Sequence, residues 1–149
     1  MRAVIQRVKK ASVKVEENII GQIGYGLLIL LGVEAEDTQE DFEYIYKKTT
    51  NLRIFDDDNG VMNLSIKDIQ GEILVVSQFT LYGDARKGNR PSYIRAAKFD
   101  SGVKFYEEFI KRAQSESLKV ATGEYGADMD VELINHGPVT ILLDSRKEF

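Results

Sequence analysis

Apolar and polar residues alternate along the first part of the chain, a pattern that predicts β-strands. Val13 and Val15 alternate with polar neighbours, and residues 19–23 continue the meander after a turn. Residues 27–33 form an uninterrupted apolar run, which is typical of a strand buried on both faces. We therefore expect residues 27–33 to form a central strand.

Two later segments place apolar residues at helical spacing. The first covers residues 38–50, where Thr38 and Asp41 resemble a capping arrangement, and the second is opened by Asp100 or Ser101. The predicted buried faces contain Phe42, Ile45, Tyr46 and Thr49 in the first helix and Val103, Tyr106, Phe109, Ile110 and Ala113 in the second. Each helix is thus expected to pack one apolar face on a core.

Further short runs predict the remaining strands and complete a mixed α/β domain. They cover residues 52–55, 72–78, 118–121, 129–135 and 139–143. Only His136-Gly137-Pro138 separates the last two. About eight strands outnumber two helices, and no regular βαβ alternation suggests a doubly wound sheet. With no linker or repeat, we expect residues 1–149 to form a single domain.

Composition removes several classes of function. The chain has no cysteine and one histidine, so no thiolate nucleophile or zinc–sulfur site is available, and we expect no cofactor or metal. No apolar run approaches the roughly 20 residues of a membrane-spanning helix, and the N-terminus lacks the features of a secretory signal. We therefore expect a cytoplasmic protein that does not contact a membrane.

Standard catalytic and phosphate-binding motifs are absent as well. The glycine-rich segment 21–26 lacks dinucleotide-binding spacing and predicts a hairpin turn, and residues 56–60 predict a solvated turn and not a calcium loop. A serine hydrolase using Ser77 and His136 is conceivable, but no acidic residue at a recognisable spacing would orient the imidazole.

Net charge of −4 argues against binding nucleic acid by overall attraction. Two local basic clusters leave open a contact with a phosphate backbone, although ordinary solvated surface charge is the favoured explanation of both. The clusters are Arg2, Arg7, Lys9 and Lys10 near the start, and Arg86, Lys87 and Arg90 in a glycine-containing loop.

Two short segments carry a more specific signal. Ser77-Gln78-Phe79-Thr80-Leu81 and Asn135-His136-Gly137-Pro138-Val139-Thr140 match the SQxxL and NxGPxT motifs of the D-aminoacyl-tRNA deacylase family, which the chain resembles over its whole length. The resemblance implies a compact β-rich fold of barrel-like sheets with two helices. It also implies a homodimer that acts on aminoacyl-tRNA by hydrolysing the ester of a D-amino acid.

The resemblance further implies how chirality is read. The Gly137-Pro138 peptide is expected to be cis and to reach into the partner subunit's pocket, where it excludes an L side chain. Since glycine has no side chain to exclude, glycyl-tRNA is an expected substrate too.

Catalytic roles follow from the same resemblance. Backbone N–H groups around Gln78 and Phe79 are expected to stabilise the oxyanion, and Thr80 is the candidate nucleophile, with the substrate's ribose 2′-hydroxyl sharing the work. The remaining expected contributors to binding and chiral selection are Ser77, Arg7, Asn135, Gly137, Pro138 and Thr140. A nucleic-acid-binding module without catalysis and a general small-ester hydrolase remain the alternatives.

Overall fold

One long strand organises the sheet because it pairs along both edges. The computed structural model describes residues 1–149. Strand β1 (Arg2–Val15) pairs antiparallel with β3 (Gly26–Gly32) through its first half and with β2 (Asn18–Ile23) through its second half. Strand β8 (Asp130–Asp144) pairs with β1 on the opposite edge, since Ala3 lies between Leu31 and Leu143.

The central strand is β3, as the apolar run predicts. It pairs with β1 on one side and parallel to β6 (Glu72–Ser77) on the other, and β7 (Lys119–Thr122) extends the parallel part. The connections that make these strands parallel contain α1 (Gln39–Asn51) and α2 (Phe99–Ser115). A short hairpin of β4 (Phe55–Asp56) and β5 (Met62–Leu64) follows α1.

Both helices pack on the same face of the sheet, so the sheet is not doubly wound. The predicted apolar faces are confirmed by the fully buried side chains of Phe42, Ile45, Tyr46, Phe109 and Ala113, all in one core with the sheet. A second, smaller core fills the opposite face. It consists of Val8, Ala11, Val13, Ile23, Leu28, Leu74 and Val76.

The second core is enclosed because the sheet curls until its edges nearly meet. Strand β2 approaches β7 so closely that a Cβ added to Gly21 would lie 2.5 Å from the carbonyl oxygen of Thr122. A glycine is needed there because backbone occupies the space of any side chain. The fold is therefore a nearly closed, barrel-like sheet with two helices, as the family resemblance implies.

Several predicted boundaries are wrong. The two strands predicted at residues 129–135 and 139–143 are one continuous strand, β8, which begins at Asp130, because both halves pair with β1 and the chain never reverses between them. The segment 21–26 is not a turn throughout, since Gly21 belongs to β2 and only Gly24 and Tyr25 lie between strands.

Two further boundaries differ from the predictions. Helix α2 begins at Phe99 with Lys98 as its N-cap, earlier than the predicted start at Asp100 or Ser101. The predicted strand 52–55 is reduced to the two-residue β4, Phe55–Asp56. No helix in the structure is long and apolar enough to cross a bilayer.

Candidate active site

A cavity of about 360 Å³ opens at the carboxyl ends of the parallel strands. Leu31 and Val33 reach it from the end of β3, and Val76 and Ser77 reach it from the end of β6. Ligands in sheets with parallel strands bind preferentially at this end, because the loops that leave the strands diverge there. The cavity therefore lies where the fold is best suited to hold a substrate.

The opposite wall comes from the start of α2, from the loop that follows β7 and from the start of β8. It contains Phe99, Tyr125, Met129 and Val131, with the rings of Phe99 and Tyr125 in edge contact at 5.2 Å between centroids. Burial raises the pKa of the Tyr125 hydroxyl, which favours its neutral form.

The loop that carries this wall is fixed to the sheet. The buried hydroxyl of Tyr106 in α2 donates to the carbonyl oxygen of Val75 at 2.9 Å, and Gly123 N–H donates to the same oxygen at 3.0 Å. Phe99, Tyr125 and the other wall residues were not predicted from the sequence. The available signal was that Phe99 and Tyr125 are large aromatic residues outside the periodic pattern of any predicted helix or strand.

The first motif turns at the cavity mouth. Ser77, Gln78 and Phe79 line the cavity, and the chain then forms a short 3-10 helix over Phe79–Tyr82. The backbone N–H of Gln78 is not free, because it donates to the carbonyl oxygen of Leu31 at 2.8 Å. The first N–H groups of a helical turn have no acceptor within that turn, and here they belong to Phe79 and Thr80.

Thr80 is exposed and is not among the residues that line the cavity. Its hydroxyl oxygen accepts a hydrogen bond from the side-chain amide of Gln78. An amide donor withdraws electron density from the oxygen and cannot take its proton. The structure therefore surrounds Thr80 with a positioning group and no general base.

The second motif forms a bulge in β8. Gln6 pairs with Thr140 and Val8 pairs with Asn135, so four residues of β8 stand opposite Arg7. Gly137 and Pro138 are exposed at the tip, their peptide bond is cis, and Gly137 has a φ of +124° that favours glycine. Neither residue lines the cavity of its own chain.

A buried guanidinium supports the bulge from below. Arg7, only 5% exposed, donates from Nε to the carbonyl oxygen of His136 at 3.1 Å and from Nη1 to that of Ile54 at 2.7 Å. Asp56 supplies a carboxylate oxygen 3.3 Å from Nη1. A Cβ on Gly137 would approach Arg7 Nη2 to 2.8 Å, so the arginine fits closely beneath this glycine.

Two polar side chains of the second motif close the neck of the bulge. Asn135 accepts from the N–H of Val139 at 2.9 Å and donates to the hydroxyl oxygen of Thr140 at 3.2 Å. Gln6 also donates to that oxygen, at 3.4 Å. In the single chain Asn135 and Thr140 thus bind the bulge itself, and neither lines the cavity.

The site offers no metal-binding cluster. The structure contains no group of three or more His, Asp, Glu or Cys side chains that could hold an ion. The only carboxylate that lines the cavity belongs to Asp128, which is exposed. The chemistry of the site therefore rests on backbone groups, amides, hydroxyls and apolar walls.

Comparison with known proteins identifies the family of the chain. A family model described as D-Tyr-tRNA(Tyr) deacylase matches residues 4–144. Proteins named D-aminoacyl-tRNA deacylase from Thermosipho africanus and Clostridioides difficile are 60% and 57% identical to this chain, with 100% of both chains covered in each case.

Two solved structures have the same fold. One is a c-Myc DNA Unwinding Element Binding Protein, with a TM-score of 0.90, 42% identity, and coverage of 97% of this chain and 98% of the other. The second is described as a probable eukaryotic D-amino acid tRNA deacylase. Its TM-score is 0.82 with 16% identity, and it covers 96% of this chain and 98% of its own, which supports the fold alone.

The hydrogen bond between Asn135 and the N–H of Val139 can be tested by substitution. In Asn135→Ala the N–H of Val139 loses its acceptor, and we expect faster amide exchange at Val139 and a loss of about 1 kcal/mol in unfolding free energy. Asn135→Asp keeps the acceptor oxygen and is the control that should retain protection. Equal exchange rates at Val139 in the wild type and in Asn135→Ala would contradict the assigned role.

Proposed function

The chain belongs to the D-Tyr-tRNA(Tyr) deacylase family, and we propose that it hydrolyses the ester between a D-amino acid and the terminal ribose of tRNA. The products are free tRNA and the D-amino acid. The observation that carries the proposal is the cavity at the strand ends, where the SQxxL motif places Ser77, Gln78 and Phe79 in the wall.

Ester hydrolysis requires donors for the oxyanion of the tetrahedral intermediate. In our proposal these are the N–H groups of Phe79 and Thr80 at the start of the 3-10 helix, because Gln78 N–H is already bonded to Leu31. Fixed backbone donors need no reorganisation as the charge develops. The apolar walls supply a low-dielectric surrounding in which each hydrogen bond is stronger.

The proton that leaves the attacking group also needs an acceptor, and no basic side chain contacts Thr80. We therefore assign proton transfer to the substrate's own ribose 2′-hydroxyl, which accepts a proton from the attacking water and passes its own proton to the departing 3′-oxygen, with Gln78 and Thr80 as positioning residues. A general small-ester hydrolase would need an activated nucleophile, and Thr80 lacks the base that would activate it.

Chiral selection is assigned to the Gly137-Pro138 tip of a second subunit. The tip is exposed, stands on the buried Arg7, and lies outside the cavity of its own chain, so a second copy is required to bring it to a substrate. The small glycine permits close approach, and the rigid proline ring limits movement. An L side chain would collide with this tip, whereas a D side chain or glycine would not.

A homodimer also explains the free edge of β8. This 15-residue strand pairs only with β1, and it exposes Ile134 and Leu142 at 44% and 61%. A long edge with unpaired backbone groups and exposed apolar side chains is a template for association. A symmetric pair of copies would place each bulge near its partner.

The proposed activity is tested with matched charged tRNAs. The wild type should hydrolyse D-Tyr-tRNA and glycyl-tRNA rapidly and L-Tyr-tRNA at the uncatalysed rate, measured as loss of labelled aminoacyl ester. All three esters are made on matched transcripts, and each is also incubated without enzyme as the control for spontaneous hydrolysis. Equal rates on both tyrosyl enantiomers would refute chiral selection, and no hydrolysis of either would refute the activity.

The composite site is tested by mixing two variants. Replacing Gly137 and Pro138 by alanine should admit L-Tyr-tRNA. The second protein is Met129→Arg, designed to block the cavity and leave the Gly137-Pro138 tip intact. Added in excess, it should suppress the hydrolysis of L-Tyr-tRNA once subunits exchange, because each open cavity then receives a wild-type tip. Protein that carries all three substitutions is the control and should not suppress it. A filter built within one chain predicts no suppression by either protein.

The role of the ribose is separated from that of Thr80 by single-turnover kinetics. Thr80→Ala should lose only part of the rate, no more than the roughly 10²–10³-fold typical of one oxyanion donor, whereas loss of a covalent nucleophile costs far more. D-Tyr on the 3′-oxygen of a 2′-deoxy terminus should react very poorly with the unaltered enzyme. If Thr80→Ala abolishes turnover while the 2′-deoxy substrate reacts normally, Thr80 is the nucleophile. Thr80→Ser is the matched control and should remain close to the wild type.

A further inference from the structure

Besides the basic residues near the N-terminus, this acidic protein has a second local concentration of positive charge. The chain carries a net charge of −4, yet residues 85–99 contain no carboxylate. The cations of this stretch are Arg86, Lys87, Arg90, Arg95 and Lys98. A solvated surface of mixed charge would place acidic residues among them.

The stretch begins as an anchored, fully exposed loop. Residues 85–94 are all exposed, and the loop is closed by reciprocal backbone hydrogen bonds between Asp84 and Ser92 at 2.8 and 2.9 Å. These bonds fix the base of the loop against the body of the protein. The loop therefore holds its cations in a defined place instead of dispersing them in solvent.

Three of the five cations have no carboxylate partner. Arg86 is bound to Asp84 at 2.6 Å, and Arg95 is bound to Glu34 at 2.5 Å and to Glu148 at 2.8 Å. No ion pair within 4.0 Å involves Lys87, Arg90 or Lys98. These unpaired cations are available to an anionic partner.

The same stretch borders the cavity described above. The ring of Tyr93 packs edge-on against Phe79, a cavity-lining residue, at 5.1 Å between centroids. Lys98 lies between Ala97 and Phe99, both of which line the cavity. It is also the N-cap of α2, whose positive dipole end faces the same region.

We propose that Lys87, Arg90 and Lys98 bind phosphate groups of the RNA strand whose 3′ end enters the cavity. The inference rests on the proposed function. If the ester on the terminal ribose lies in the cavity, the phosphates of the preceding nucleotides lie just outside the cavity mouth, which residues 85–99 border. Each nucleotide carries one negative charge, which suits several unpaired cations on one short stretch of chain. The rest of the chain is net acidic, which favours binding of RNA at this stretch over most of the remaining surface.

The test compares variants on substrates with and without phosphates. The double variant Lys87→Gln, Arg90→Gln should raise KM for D-Tyr-tRNA about tenfold or more, with kcat within about twofold of the wild type. The plot of log kcat/KM against log salt has a negative slope. Its magnitude should decrease by about 0.7 for each phosphate of the single strand that the variant no longer neutralises. The preference for D-Tyr-tRNA over the D-tyrosyl ester of adenosine, which has no phosphate, should fall to the same extent as kcat/KM for the tRNA.

Lys111→Gln is the matched control, because Lys111 is an exposed, unpaired lysine of α2 that lies about 18 Å along the helix from Phe99. It should leave both KM and the salt slope unchanged, and melting temperatures should show that all variants are folded. A wild-type KM and salt slope in the double variant would overturn the proposal, as would equal effects in the Lys111 variant.

Binding of uncharged tRNA by fluorescence anisotropy separates this proposal from the proposed function. Salt-dependent binding by the wild type that weakens in the double variant would support the surface even if no ester is hydrolysed. Absence of tRNA binding by the wild type would overturn the proposed RNA-binding role of these cations. If the double variant hydrolyses the ester and binds tRNA as tightly as the wild type, the proposed activity stands and the proposed phosphate-binding role is wrong.

Discussion

The pairing of β1 along both edges is the constraint on which the rest of the structure depends. Its first edge holds β3 and β2 in succession, which begins the curl of the sheet, and its second edge holds the whole of β8. Because β3 carries the parallel strands, the position of the cavity follows from this pairing. The position of the Gly137-Pro138 bulge follows from it as well.

Arg7 connects these consequences. It lies in β1 opposite the bulge, and its guanidinium joins the carbonyl oxygens of Ile54 and His136. A buried charge without partners costs several kcal/mol, so the arginine stabilises the fold only while both segments stay in place. These contacts fix the base of the bulge, which is the property that the proposed steric filter requires.

The cavity, in contrast to the bulge, contains few ionisable side chains. Its walls are mostly apolar, its polar atoms come largely from the first motif, and its one carboxylate is exposed. In the proposed mechanism, proton transfer is left to the substrate, and the enzyme contributes positioning and fixed dipoles. The proposed phosphate-binding role of Lys87, Arg90 and Lys98 fits the same division, because these cations would hold a long substrate away from the reacting ester.

The sequence by itself determined the central strand, the two helices with their buried faces, the mixed α/β class and, through two motifs, the family. These features depend on local periodicity or on short contiguous segments, which a single chain displays directly. The tertiary structure alone decided that β8 is continuous through His136-Gly137-Pro138. Whether a chain reverses at such a segment depends on which strand pairs with the residues beyond it, and here both halves pair with β1. It also decided that Phe99, Tyr125, Met129 and Val131 form a wall of the cavity, because they come from segments that meet only after the parallel strands align.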